Sequence, residues 1–268
     1  MNTILIPTDF SSAADNAMNY GARLAKRLQA DILLLHVYMI PISLNETPVV
    51  VITGDELRKS ADEGLERCRQ ELQSIYEGVQ IKTTSRLGDV DDELEELCRE
   101  TNPFGVVMGS HKLTGVEKVI FGSTTLSAMR HLKYPVIAVP ESYKNGDIKT
   151  IVMATDLLNE TTVPAEKIRD IVSSLDASLH IVHVYNNEVE KKEFPASLTD
   201  KINVLNPVYK YIQDDDVAQG VQAYIQQQNA DLVIILQHEH TFWEKLFSKQ
   251  HTQDLLNQLQ IPVLSIHD

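Results

Sequence analysis

The chain has 268 residues, of which 43% are hydrophobic, and its formal net charge at pH 7 is −14. This length corresponds to about two domains of ~100–200 residues each. The acidic balance and the lack of a basic patch argue against nucleic acid and an anionic membrane as partners. The first residues lack the pattern of a secretory signal and the longest apolar run is too short to span a bilayer, so we expect a cytoplasmic protein.

Short apolar runs alternate with helical patterns along the first half of the chain. Five strands are predicted, at Thr3–Pro7, Ile32–Val37, Val79–Thr84, Gly105–Met108 and Val136–Val139. Apolar residues at helical spacing predict four further helices, near Ala17, near Leu57, after the acidic turn Asp89–Glu93 and from about Ser123 to His131. Because continuous apolar strands alternate with helices, the pattern predicts a parallel sheet covered on both faces, which is a doubly wound α/β domain.

The second half of the chain repeats the first. The matching segments are Ile4–Asp9 with Ile151–Asp156, His36–Tyr38 with His183–Tyr185, and Pro135–Val139 with Pro262–Ile266. A repeat of this length indicates two whole domains rather than a solenoid. We therefore expect two tandem α/β domains, each with a mainly parallel five-stranded sheet, at residues 1–143 and 148–268, joined by a turn-rich linker.

One repeated segment keeps its glycines in the first copy alone. Met108–Ser123 recurs in the second copy, where Gly109 becomes Leu236 and Gly122 becomes Lys249. Glycine lets the backbone approach a ligand closely because it has no side chain. The difference predicts one ligand site in the first domain and a degenerate second domain.

These motifs resemble those of the universal stress protein family in a tandem, two-domain form. The family's nucleotide-binding members have a first-strand Asp before a Ser-rich turn, matched here by Pro7–Ser11. They also have a loop of Gly, two residues, Gly, nine residues, Gly and Ser or Thr. Gly109 and Gly122-Ser123 fit its ends, whereas Lys112 replaces the second glycine. The resemblance implies Rossmann-like domains that in some members hold ATP at the sheet rim, while members without the motif do not bind ATP.

The candidate nucleotide site combines this resemblance with the position of ligand sites in parallel sheets, outside the carboxyl ends of the strands. Asp9 would accept hydrogen bonds from ribose or adenine, Val37 would offer backbone contacts to adenine, and a helix N-terminus at Ser123 would hold phosphate. The candidate residues are Pro7, Thr8, Asp9, Val37, Met108, Gly109, His111, Lys112, Gly122, Ser123 and Thr124.

Each of these residues also has a structural interpretation. Gly109 could serve a tight turn at the end of its strand, and Ser123 could be the N-cap of the helix that follows. Asp9 could cap the first helix, although the serines after it could do so instead. The Val37 side chain is interpreted as part of the core. Asp156 repeats Asp9 without a glycine loop, so the aspartate alone does not define a site.

No catalytic or metal-binding motif is recognisable in the sequence. Cys68 and Cys98 lie on apolar helix stripes, which indicates core packing, and His36 and His183 lack partners at metal-ligand spacing. The sequence thus predicts a non-enzymatic stress-response protein that binds ATP, with Mg²⁺, or AMP in its first domain. The alternative is a nucleotide-independent interaction or dimerisation scaffold, in which Lys112 blocks the pocket.

The resemblance also implies dimerisation through the last strand of the sheet. Pro135–Val139 and its counterpart Pro262–Ile266 are expected to pair edge to edge within one chain, as a pseudo-dimer with pseudo-two-fold symmetry. A homodimer of two chains and an unidentified protein partner both stay open. The insertion from about Ile40 to Asp55 has three interpretations, which are a lid, an extra strand or a partner surface.

Overall fold

The computed structural model describes residues 2–40, 53–112, 119–155, 163–186, 193–237 and 259–267. At residues 111, 112, 119, 120 and 237 it describes the backbone alone. The strands are β1 (Thr3–Pro7), β2 (Asp31–Tyr38), β3 (Ile81–Leu87), β4 (Gly105–Lys112), β5 (Val119–Ile120), β6 (Val136–Pro140), β7 (Thr150–Ala154), β8 (Ser178–Tyr185), β9 (Val208–Gln213), β10 (Leu232–Gln237) and β11 (Val263–His267). The helices are α1 (Ser12–Leu28), α2 (Gly54–Ile75), α3 (Val90–Thr101), α4 (Ser123–His131), α5 (Ala165–Ser174), α6 (Ala196–Ile202) and α7 (Val217–Gln228), with a 3₁₀ turn at Asn203–Leu205.

The two repeats share one continuous sheet. Its strand order is β3-β2-β1-β4-β6-β11-β10-β7-β8-β9, and β5 pairs with β4 outside this path. Within each repeat the strands on this path are parallel, whereas β6 and β11 pair antiparallel with Ile137 opposite Leu264. The mirrored order confirms the doubly wound, five-stranded prediction for each repeat and the pairing of the two last strands.

Helices cover both faces of this sheet, because successive strand residues point to opposite sides. On β1, Ile4 and Ile6 pack into a cluster with residues of α1, while Leu5 packs on the other side with Leu94 and Met129. All five side chains are almost fully buried. Within the described ranges, no helix is long and apolar enough to cross a membrane.

Two strand predictions are corrected by the hydrogen-bonded ladders. The third strand pairs with β2 from Ile81 to Leu87, so it begins and ends later than the predicted Val79–Thr84. The fourth strand does not end at Met108 but continues to Lys112, because it pairs first with β6 and then with β5. Gly109 therefore lies inside a strand.

The segment between the repeats lies along α1. The buried Asn16 amide donates hydrogen bonds to the carbonyls of Pro140 (2.8 Å) and Tyr143 (3.0 Å). Near the other end of the helix, the Arg27 guanidinium donates to the carbonyl of Ile148 at 3.0 Å. The predicted turn-rich linker is thus fixed to the helix over much of its length.

Candidate functional site

A cavity of about 380 Å³ opens at the carboxyl ends of β1, β2 and β4. The N-terminal turns of α1, α3 and α4 complete its wall, as expected where parallel strands feed into helices. The residues that line it are Pro7, Thr8, Asp9, Ser11, Ala13, Ala14, Leu35, Val37, Val90, Met108, Gly109, Gly122, Ser123, Thr124 and Thr125.

The structure brings most of the sequence-predicted residues to this one cavity. The exceptions are His111 and Lys112, whose side chains lie outside what the structure describes, as do residues 113–118 of the loop. Val37 is half-buried, and its side chain packs against the core cluster of Leu5 and Leu35 and also lines the cavity. Sequence reasoning missed the small and apolar residues contributed by helix starts, such as Ala13 and Val90.

A tight turn at the end of β1 presents the Asp9 carboxylate. The Thr8 hydroxyl accepts a hydrogen bond from the Phe10 amide at 3.0 Å, and Asp9 Oδ1 accepts one from the Ser11 amide at 3.0 Å. The N-cap of α1 is Ser11, whose hydroxyl accepts from the Ala14 amide at 3.2 Å. Asp9 is therefore not the cap of this helix, and its exposed carboxylate lines the cavity.

Phe10 holds this turn in a strained conformation. Its φ is 62°, a left-handed value that costs a non-glycine residue about 1–2 kcal/mol. The ring stacks on His36 at 4.3 Å between centroids, and Gly64 of α2 leaves it room, since a Cβ there would lie 2.6 Å from Phe10 Cζ. The packing of Phe10 against His36 and Gly64 offsets the strain and fixes the turn that contains Asp9.

The two repeated histidines make the same backbone contact. His36 Nδ1 lies 2.8 Å from the carbonyl oxygen of Thr8, and His183 Nδ1 lies 3.1 Å from that of Thr155. Each contact joins the second strand of a repeat to the end of its first strand, which supports a structural role for both. Among the residues that the structure describes, no three His, Cys, Asp or Glu side chains form a group that could hold a metal ion.

Gly109 is required by close packing of α1 against β4. A Cβ at this position would lie 2.4 Å from the carbonyl oxygen of Ala13 and 3.0 Å from the amide nitrogen of Ala14. Its interpretation as a tight-turn glycine is wrong, because the strand continues through it. The glycine instead lets the first turn of α1 form one wall of the cavity.

The N-terminus of α4 forms the opposite wall. Its N-cap is Gly122, which supplies no side-chain acceptor, and Ser123 is the first helical residue, so Ser123 is not the N-cap. The first amides of a helix have no partners within it and carry partial positive charge, which favours a bound anion. The Thr125 hydroxyl donates to the carbonyl of Gly109 at 3.0 Å and ties α4 to β4.

The second repeat differs at the matching place. Leu236, the counterpart of Gly109, is a buried side chain that is 2% exposed. Helix α5 begins at Ala165, which aligns with Met18 inside α1. The residues that align with the first turn of α1 lie outside the described ranges. Asp156 and the second copy of the loop lie outside the described residues.

The similarity to known proteins agrees with this architecture. The family model described as universal stress protein family matches residues 1–140. Universal stress protein MJ0531 of Methanocaldococcus jannaschii is 24% identical over 143 residues, covering 53% of this chain and 83% of that protein. Universal stress protein YxiE of Bacillus subtilis is 26% identical over 145 residues, covering 52% of this chain and 98% of that protein.

A solved structure extends the likeness to both repeats. The crystal structure of a universal stress protein from Archaeoglobus fulgidus matches with a TM-score of 0.75 at 18% identity, covering 99% of this chain and 98% of that one. At this identity the match supports the shared fold. Since the family model covers more than half of the sequence, the chain belongs to the universal stress protein family.

Proposed function

We propose that the first repeat binds a nucleotide, ATP with Mg²⁺ or AMP, in the cavity between Asp9 and the N-terminus of α4. The observation that carries the proposal is the convergence on one cavity of residues from Pro7–Asp9, Val37, Met108-Gly109 and Gly122–Thr124. A volume of about 380 Å³ falls within the common range for small-molecule sites, ~300–1,000 Å³.

The polar groups suit the parts of a nucleotide. Asp9 is a hydrogen-bond acceptor for ribose hydroxyls or the adenine amino group, and the apolar Val37 and Leu35 suit a base. The first amides of α4, with the Ser123 and Thr124 hydroxyls, suit phosphate oxygens. Lys112 would add a positive charge near the phosphates.

We further propose that the protein binds its nucleotide without turning it over. Among the described residues that line the cavity, Asp9 is the one acidic or basic side chain, whereas a catalytic site usually combines a nucleophile, a base and a charge-stabilising group. The bound nucleotide would act in the cytoplasm by stabilising one state of the protein toward a protein partner. A steady-state phosphate-release assay should give no activity above buffer, and activity lost in Asp9→Asn would contradict this part.

The binding test is a thermal shift and calorimetric titration with ATP plus Mg²⁺ and with AMP. Ligand at about 100 times Kd stabilises a protein by ~2.7 kcal/mol, so a micromolar site gives a clear shift at 1 mM ligand. Asp9→Asn and Ser123→Ala should weaken binding, whereas the matched variant Asp156→Asn in the second repeat should leave it unchanged. Equal losses in Asp9→Asn and Asp156→Asn would contradict a single site.

Lys112→Gly separates nucleotide binding from the scaffold alternative. If the wild-type protein binds no nucleotide at millimolar concentration and Lys112→Gly does, the lysine blocks the pocket and the scaffold function is favoured. If the wild-type protein binds and Lys112→Gly binds more weakly, the lysine contributes to phosphate binding.

A further inference from the structure

We infer that the second repeat positions the nucleotide site of the first repeat through Ser265, which anchors the far end of α4. The inference rests on the proposed function for its ligand, but the contact itself is a feature of the protein without ligand. Ser265 is not one of the residues that line the cavity, so its role is that of a positioning residue.

The anchoring contact is short and buried. Ser265 of β11 is fully buried, and its hydroxyl donates a hydrogen bond to the carbonyl oxygen of Met129 at 2.7 Å. The ring nitrogen Nε2 of His267 lies 3.0 Å from the same oxygen. Both groups come from the second repeat, whereas Met129 belongs to α4 of the first.

The Met129 carbonyl needs a partner from outside its helix. The last four carbonyls of a helix have no amide partner within it, and α4 ends at His131. Met129 is also fully buried, so water cannot easily replace a lost donor. Ser265, together with His267, therefore completes the C-terminal end of the helix whose N-terminus lines the cavity.

Because α4 is short, a displacement of one of its ends also displaces the other. Ser123 and Met129 are separated by six residues, or about 9 Å at 1.5 Å per residue. A helix this short behaves as one body, so a shift at Met129 also displaces the amides at Ser123. The Asp91 carboxylate, which accepts from the Ser127 hydroxyl at 2.7 Å, supports the middle of the helix.

Comparison of the two repeats shows that the last strand of a repeat does not require a hydroxyl at this position. Ala138 occupies the position in β6 that Ser265 occupies in β11, and an alanine there cannot donate a hydrogen bond. Ser265 thus differs from its counterpart at a position that faces the other repeat. The substitution Ser265→Ala restores the residue of the first repeat and should be accommodated by the strand.

A second helix of the cavity also contacts the second repeat at its C-terminal end. The Arg27 guanidinium, in the last turn of α1, donates a hydrogen bond to the carbonyl of Leu175, which ends α5. The first turn of the same helix lines the cavity through Ala13 and Ala14. The second repeat therefore contacts the C-terminal ends of both α1 and α4, the two helices whose N-terminal turns line the cavity.

The test compares Ser265→Ala with Ile266→Val in the full chain. Ile266 is the neighbouring buried residue of β11 and packs on the opposite face of the sheet, so its variant weakens the same strand without touching Met129. Affinity for ATP with Mg²⁺ is measured by calorimetry, and hydrogen exchange of α4 is measured with and without the nucleotide.

We expect Ser265→Ala to weaken nucleotide binding by roughly threefold or more, within the range seen for residues that couple distant sites. It should also speed exchange at α4 in the ligand-free protein, while Ile266→Val changes neither. Unchanged affinity in Ser265→Ala, or an equal loss in Ile266→Val, would overturn the inference. If the wild-type protein binds no nucleotide, the proposed function fails. Hydrogen exchange of α4 in the ligand-free variants then decides whether Ser265 positions the helix. Faster exchange in Ser265→Ala alone supports that role, and equal exchange in Ser265→Ala and Ile266→Val refutes it.

Discussion

Substitution of Gly109 by alanine tests the packing that forms the cavity wall. The added Cβ would lie 2.4 Å from the Ala13 carbonyl oxygen and 2.6 Å from the Ala13 carbonyl carbon, distances that side-chain rotation cannot relieve. Both atoms belong to the backbone of α1, so the helix must move away from β4 by roughly 1 Å. Overpacking of this kind typically costs ~1–3 kcal/mol, and the upper end applies because no flexible group can yield.

The net effect is smaller than this cost. Alanine also restricts the unfolded chain, which stabilises the protein by about 0.4–1 kcal/mol. We therefore expect Gly109→Ala to lower the free energy of unfolding by ~2 kcal/mol and Tm by roughly 4–8 °C. Urea denaturation gives the first quantity, provided that the slope with denaturant is unchanged, and calorimetry gives the second.

Gly54→Ala is the matched control. At the first residue of α2 a Cβ would meet only Ile40 Cδ1, at the ordinary contact distance of 3.6 Å. Alanine favours a helix over glycine, so we expect this variant to equal or exceed the wild type in stability. A Gly109→Ala protein as stable as Gly54→Ala would refute the packing argument.

Three further predictions concern other parts of the structure. Asn16→Ala should lower the free energy of unfolding by about 2–3 kcal/mol in urea denaturation, because it removes the donor to the carbonyls of Pro140 and Tyr143. The exposed Lys26→Ala on the same helix should change it by less than ~0.5 kcal/mol. Thr53→Ala should cost ~1 kcal/mol, since it removes the capping box of α2; no loss would contradict that cap. Burial raises the pKa of the Cys98 thiol to about 12, so a thiol reagent at pH 8 should modify Cys98 only after unfolding. The raised pKa of Cys98 contributes to the free energy of unfolding, and this contribution is fully present below the ordinary pKa of 9.0 and is lost as the pH rises toward 12. Urea denaturation at pH 8 and at pH 10.5 checks this loss. Rapid reaction of Cys98 with the thiol reagent in the native state would contradict its burial.

The sequence predicted the bounds of a helix or strand correctly where a few neighbouring residues mark its ends. The bounds of β1 and α4 agree with the sequence prediction, because an apolar run followed by Thr8-Asp9 and a glycine before a helix are contained in a few residues. The segment from Asn187 to Asn206 has weak periodicity, and its helix α6 is seven residues long, which is about two turns. So short a helix presents too few repeats of an apolar face to be recognised.

The candidate site was predicted through its polar and glycine residues but not through its walls. Asp9 and Ser123 stand out because their chemistry suits a nucleotide, and the topology of a parallel sheet brings their strands to one edge. Ala13 and Val90 carry no chemical signal, and they line the cavity only because of where their helices begin. Burial and helix placement, not residue type, select such positions.

The sequence by itself determined the duplication and the parallel α/β architecture, because each follows from repeated patterns of residue type along the chain, and the resemblance to a family added the pairing of the last strands. The tertiary structure alone decided that Gly109 serves close packing and that Ser265 supports α4, because both depend on distances between segments far apart in sequence. It also fixed the linker along α1, through hydrogen bonds to main-chain carbonyls that leave no signature in residue type. Periodicity specifies which side of an element is buried, whereas the contacts made by that side are set only when the elements pack.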